Sequence, residues 1–80
     1  MNIVIYTKDA CPNCVTAKKL LDSKGLAYEE RDIADEGWAI ELITHHPDAR
    51  QMPQIFYKGM RLGGLAGLKT YLPTIERTQA

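Results

Sequence analysis

Residues 3–25 read IVIYTKDACPNCVTAKKLLDSKG, and the change of periodicity inside this stretch decides the fold. Ile3-Val4-Ile5-Tyr6 is a continuous apolar, partly β-branched run closed by Thr7-Lys8-Asp9, the pattern of a strand buried on both faces. From Pro12 to Lys24 the pattern turns helical, with Cys14, Ala17, Leu20 and Leu21 on one stripe. Pro12 suits the first helical position, where a missing N–H costs nothing, and Gly25 stands where a C-terminal cap is expected. A buried strand running directly into an amphipathic helix opens a parallel crossover unit.

The same alternation continues outward. Ala27 to Ile33 reads as a second strand, and Asp35 as the N-cap of a helix reaching about His46, with Trp38, Ala39, Leu42 and Ile43 inward and Pro47 ending it. The spacing of Trp38 with Leu42 favours core packing over a partner surface. Gln54 to Tyr57 and Met60 to Leu62 flank Lys58-Gly59, a two-residue hairpin connection. A last helix starts near Leu65 with Leu68 and Leu72 inward, and Pro73 is expected to break it. The order βαβαββα predicts an α/β fold: a mixed four-stranded sheet flanked by three helices, with chemistry beyond the carboxyl ends of the strands.

Eighty residues predict one domain, 1–80. With 45% apolar and 25% charged residues the composition is that of an ordinary globule, and no apolar run approaches the roughly 20 residues of a spanning helix. The short run Ile3 to Tyr6, followed by Lys8 and Asp9, is no secretory core, so a cytoplasmic monomer without membrane contact is expected. Ten basic and ten acidic residues cancel, which removes the electrostatic footprint of a nucleic-acid binder. The charges are nonetheless unevenly spread, at +2 over residues 1–28, −6 over 29–48 and +4 over 49–80. The acidic middle reads as a solvated face, while the basic ends are free to meet around one site.

The cysteines lie three apart, as Cys11-Pro12-Asn13-Cys14, immediately after the first strand. Cys11 precedes a helix start, where unpaired N–H groups and about half a positive charge favour thiolate over thiol. Such placement lowers a cysteine pKa from about 8.5 into the range of roughly 3.5–7.5. Lys8 and Lys18 help and Asp9 opposes. Cys11 is therefore the candidate nucleophile, and Cys14, about one turn on and facing the core stripe, its buried partner. The Cys11 thiolate would attack a target disulfide and Cys14 would resolve the mixed disulfide, an intramolecular step at high effective concentration. Three other readings compete. Inert packing fits a helix-start cysteine followed by proline poorly. Zinc needs two more ligands, and His45 and His46, being adjacent, point about 100° apart on a helix rather than to one side. An iron–sulfur cluster bridged between two chains is the third.

Thr7-Lys8 before Cys11-Pro12-Asn13-Cys14, then Met52-Pro53-Gln54-Ile55-Phe56 and Gly63-Gly64, together resemble a small glutaredoxin of the thioredoxin fold, over nearly the whole chain and in the family's order and spacing. The resemblance implies a dithiol-disulfide oxidoreductase with a redox-active Cys11–Cys14 disulfide, no tightly bound cofactor or metal, and glutathione as reductant. It implies that Pro53 is cis and faces the pair, although an X-Pro bond is cis only about 5–6% of the time. It implies further that Met52 lends its backbone N–H and C=O to an extended substrate, and that Gly64 and its neighbour Leu65 approach the γ-glutamyl end of glutathione. Lys8, with Arg50 or Gln51, would meet glutathione carboxylates, and Pro12 completes the binding set. Protein targets such as ribonucleotide reductase follow from the same likeness.

The chain departs from the pattern in two places. Glutaredoxins commonly follow the glycine pair with one or two acids, whereas this chain reads Leu65-Ala66-Gly67, and Asn13 stands where a tyrosine is common. Gly67 is also expected to weaken its helical turn by about 1 kcal/mol relative to alanine. The missing acids favour an alternative, a redoxin of the same fold re-reduced by thioredoxin reductase, and a metal or iron–sulfur carrier is a further reading.

Overall fold

The computed structural model describes residues 2–79. In chain order the elements are β1 (Ile3–Thr7), α1 (Pro12–Ser23), β2 (Glu29–Asp32), α2 (Glu36–His45), β3 (Gln54–Tyr57), β4 (Met60–Gly63) and α3 (Leu65–Gln79). The four strands form one mixed sheet in the order β2-β1-β3-β4, with β1 parallel to β2 and antiparallel to β3, and β3 antiparallel to β4. The expected α/β order is present.

Alternation along the two central strands divides the interior in two. Ile3, Ile5, Ile55 and Tyr57 point to the face covered by α1 and α3, where they meet Ala17, Leu21, Leu68, Leu72 and Ile75. Tyr6 and Phe56 point the other way, against Leu42 of α2, with Val4 and Trp38 beside them. β1 is thus covered on both faces, as its unbroken apolar run requires. The Lys58-Gly59 connection takes positive φ at both residues, 50° and 81°, which turns β3 back into β4 with the twist of the sheet.

Four expectations are corrected. β2 is shorter than Ala27 to Ile33, because its ladder to β1 runs only from Val4–Glu29 to Thr7–Asp32. On α2 only Leu42 is buried, while Ile43 is 54% exposed: the helix lies on the sheet along a narrow contact line, and Ile43 falls to its flank. Leu20 is only half-buried beside Cys14, Ala17 and Leu21. Pro73, finally, does not break the last helix. It sits on the solvent face, and Ile75 beyond it is fully buried in the larger core. Burying such a side chain contributes about 1.5–3 kcal/mol, comparable to the roughly 3 kcal/mol that an interior proline costs.

Trp38 is half-buried, with the Arg31 guanidinium 4.3 Å above its ring, so the core reading of this residue holds. Tyr6 and Tyr57 are both buried, and the Tyr6 hydroxyl accepts a 2.8 Å hydrogen bond from Arg31. Gly67 has a role its sequence context hides. A Cβ built there would stand 1.8 Å from the Leu62 carbonyl oxygen and 2.8 Å from its carbon, so the first turn of α3 approaches β4 more closely than any side chain allows.

Candidate functional site

β1 ends at Thr7, and the chain turns through Ala10, which takes a left-handed φ of 53°, to bring Cys11 to the start of α1. Cys11 is the N-cap, with extended backbone angles (φ −120°, ψ 94°) and Pro12 at the opening of the helix. Its Sγ accepts a 3.1 Å hydrogen bond from the Cys14 N–H, so sulfur takes the place that a serine or aspartate oxygen holds in most helix caps. The first turn carries no acidic residue to offset the positive end of the helix. Cys11 and Cys14 form a disulfide with their Cα atoms 5.2 Å apart, and both are buried, at 7% and 2% exposure.

Across from this pair lies the loop into β3. The Met52–Pro53 bond is cis, as the resemblance implied, and the Met52 carbonyl oxygen lies 3.4 Å from Cys11 Sγ. Pro53 is buried, and a Cβ on Gly64 would meet the Pro53 carbonyl at 3.6 Å, so the glycine pair passes close behind the loop. Two recesses lie beside the helix start and this loop. One, of about 560 Å³, is walled by Lys8, Asp9, Cys11, Pro12, Val15 and Lys18 and reaches Cys14. The other, of about 250 Å³, lies between Asn13, Met52 and Pro53 on one side and Gly64, Leu65 and Ala66 on the other. The expected site residues thus divide between two recesses, the first lined by the redox pair and the second linked to it through Met52, whose carbonyl lies 3.4 Å from Cys11 Sγ. Gln51 lines the second recess, whereas Arg50 is exposed and lines neither.

His45 and His46 lie elsewhere. They line a separate recess of about 320 Å³ on the α2 face with Tyr6, Arg31 and Phe56, His45 Nε2 being 3.3 Å from Glu41 and the His46 ring 4.8 Å from that of Phe56. A zinc site built from both cysteines and both histidines does not fit this placement. His45 closes the last turn of α2 and His46 caps it, the helix-end position expected of them.

Two polar networks escaped the sequence reading. In one, Thr7, 2% exposed, donates through its hydroxyl to Glu30 Oε2 at 2.8 Å, and Lys18 Nζ donates to the same oxygen at 2.9 Å. The Lys18 hydrogen bond holds the Glu30 carboxyl below its usual range, and Glu30 in return raises the Lys18 ammonium pKa. This ties α1, one turn past Cys14, to β1 and β2. In the other, Gln54, 7% exposed, lies between the Gln51 carbonyl and Arg61. The signal was present in both: a polar residue at a buried strand position must find partners. Their identity was not, because the partners are distant in sequence.

Comparison with known proteins agrees with this geometry. The family model described as Glutaredoxin matches residues 3–62. Glutaredoxin 1 of Rickettsia bellii is 42% identical over 66 residues, covering 78% of this chain and 67% of that protein. Glutaredoxin 3 of Escherichia coli K12 is 38% identical over 63 residues, covering 79% and 76% respectively. The crystal structure of Glutaredoxin 1 from Francisella tularensis, complexed with cacodylate, superposes with a TM-score of 0.75 at 28% identity over 91% of this chain and 93% of that one. A cysteine pair capping the first helix of a thioredoxin-like sheet, matched along three quarters of its length by these proteins, is a thiol-disulfide oxidoreductase, and the chain belongs to the glutaredoxin family.

Proposed function

We propose that this protein is a cytoplasmic, single-domain dithiol glutaredoxin that reduces protein disulfides and glutathione mixed disulfides through Cys11 and Cys14, with glutathione as its reductant. The observation that carries this reading is the position of Cys11: it caps α1, lines the first recess, and lies 3.4 Å from the carbonyl of Met52, which lines the second. In the reduced protein the Cys11 thiolate, favoured by the helix start, attacks the target disulfide and releases one target sulfur as a thiolate. Cys14 then attacks Cys11, releases the second sulfur and closes the Cys11–Cys14 bond, so two electrons reach the target. One glutathione opens that bond to leave glutathione on Cys11, and a second removes it as glutathione disulfide.

Lys8, at the mouth of the first recess, is proposed to meet a glutathione carboxylate, and the Met52 backbone to align the peptide. Pro12, Pro53, Gly64 and Leu65 shape the walls. Ribonucleotide reductase is the proposed class of protein target on the resemblance alone.

A second reading, re-reduction by thioredoxin reductase, is favoured by one observation: the opening turn of α3, Leu65-Ala66-Gly67, offers no carboxylate to the γ-glutamyl amine. NADPH oxidation separates the two. Turnover with glutathione and glutathione reductase, and none with thioredoxin reductase, supports the first reading; the opposite pattern supports the second. Visible absorbance of the purified protein, with neither activity, would point to a cluster carrier.

A further inference from the structure

The second recess is lined by Gln51, Met52 and Pro53, the segment whose Met52 carbonyl lies 3.4 Å from Cys11 Sγ, and a backbone segment is held in place by what lies behind it. Gln54, the first residue of β3, donates from Nε2 to the Gln51 carbonyl at 2.8 Å. Its Oε1 accepts from Arg61 Nε on the edge strand β4 at 3.2 Å. Arg61 Nη1 donates in turn to both carboxylate oxygens of Asp48, at 3.0 Å each, and this pairing holds the Asp48 carboxyl below its usual range. The order of the groups fixes the amide. A guanidinium has no acceptor, so the Gln54 oxygen must face Arg61, and only the amide N–H₂ is left for the Gln51 carbonyl.

A carbonyl fixed in this way fixes a donor as well. Gln51 C=O and Met52 N–H belong to one planar peptide unit, and in a trans unit they point to opposite sides. The cis bond of this loop is the next one, Met52–Pro53. Holding the Gln51 carbonyl toward Gln54 therefore turns the Met52 N–H away from Gln54, on the residue whose own carbonyl lies 3.4 Å from Cys11 Sγ.

We propose that Gln54, oriented by Arg61 and Asp48, is a positioning residue that sets the Gln51–Met52 peptide plane and so governs affinity for an extended, peptide-like substrate backbone laid opposite Cys11. The inference rests on the reading of the site as a disulfide reductase in which Met52 presents its backbone to the substrate. None of the three side chains touches a sulfur, so the relay acts on binding and leaves the exchange step alone.

The test is Gln54→Glu at pH 7, which keeps an acceptor for Arg61 but offers no donor to the Gln51 carbonyl. The substrate is a short peptide carrying a glutathione mixed disulfide, assayed with glutathione and glutathione reductase. Expected is a rise of about five- to tenfold in apparent KM, equivalent to about 1–1.4 kcal/mol, with kcat and the pH profile of Cys11 alkylation unchanged. Arg61→Ala, at a half-buried position, should raise KM about two- to threefold, and Arg61→Lys should recover part of that loss. An unchanged KM in folded Gln54→Glu overturns the proposal, as does a fall in kcat accompanied by a shifted alkylation profile. Should Gln54→Glu fail to fold, the same KM and kcat comparison on Arg61→Ala decides. Independently of any turnover, the Met52 amide resonance and its hydrogen exchange should differ between parent and variant. Identical values sink the relay even where the parent proves inactive, whereas an inactive parent with a displaced Met52 resonance removes only the reductase reading.

Discussion

Gly67→Ala sets helix propensity against packing, and the two predict opposite signs. By propensity alone, alanine in the first turn of α3 should stabilise the protein by about 1 kcal/mol. Geometry opposes this. The added Cβ would stand 1.8 Å from the Leu62 carbonyl oxygen and 2.8 Å from its carbon, and both are backbone atoms of β4 that cannot rotate aside. An ordinary carbon–oxygen contact is more than a full ångström longer than the first of these. α3 must therefore move off β4, and it carries Leu68, Leu72 and Ile75 of the larger core with it. Overpacking of this kind costs about 1–3 kcal/mol, and at a rigid backbone contact the upper part of that range applies, so after the propensity gain the net loss should be about 1–2 kcal/mol. A chain of 80 residues loses about 4–8 °C in Tm per kcal/mol, which places the variant roughly 5–15 °C below its parent. Thermal unfolding followed by far-UV circular dichroism, with the disulfide intact in both proteins, measures the difference. Ala66→Gly, one residue earlier on the exposed side of the same turn, is the control and should lose only about 0.5–1 kcal/mol. A Gly67→Ala protein as stable as its parent, or more so, would refute the steric argument.

Cys11→Ser should abolish disulfide exchange, whereas Cys14→Ser should still form and then trap a mixed disulfide with glutathione, visible by mass spectrometry on Cys11; an adduct on Cys14 in the Cys11→Ser protein at a similar rate would reverse the roles. Alkylation rate against pH should reveal a group titrating well below pH 8.5 that survives in Cys14→Ser, and a profile like that of free cysteine would sink the helix-cap argument. Ala66→Asp, on the exposed side of the second recess, should improve glutathione-dependent turnover by a few-fold to about tenfold when glutathione is limiting, while Gly67→Asp should lose stability instead; no gain in Ala66→Asp would mean that the γ-glutamyl amine is not read from this turn. The Lys18–Glu30 pair gives a pH signature. Glu30 is depressed in the folded state, so its contribution is present above the unfolded carboxyl value of about 4.3 and is lost as pH falls through the lower folded value. Lys18 is raised, so its contribution is full below the unfolded value of about 10.4 and lost as pH climbs through the higher folded one. Both groups are partly exposed, so Lys18→Met should cost no more than about 1 kcal/mol at pH 7, and urea titrations of parent and variant should converge in strong acid; a constant gap there would assign the loss to packing.

Much of this protein is local in origin and therefore legible in its sequence. An apolar run of β-branched residues has few alternatives to a buried strand, a cysteine before proline has few to a helix start, and Lys58-Gly59 supplies the positive φ angles of a tight hairpin. The βαβαββα order and the placement of Cys11 and Cys14 follow from such short-range constraints. Where sequence reasoning failed, a contact between distant segments had overruled a local preference. Pro73 does not end α3, because Ile75 is needed in the core two residues later. Ile43 is exposed because α2 lies on the sheet along the narrow line of Trp38 and Leu42. Gly67 reads as a weak point of its helix and is instead a requirement, set by a carbonyl on another element. The walls of the site are of the same kind. Residue type and order nominated Met52, Pro53 and Gly64 only through likeness to a family, since what brings Met52 beside Cys11, and Gly64 against Pro53, is the pairing of β3 with β1 and the packing of α3 on β4. The Gln54–Arg61–Asp48 and Thr7–Glu30–Lys18 networks bond residues 7 to 23 positions apart, and no local rule selects such partners. Buried polar groups announce that they need hydrogen bonds, but only the folded chain decides who supplies them.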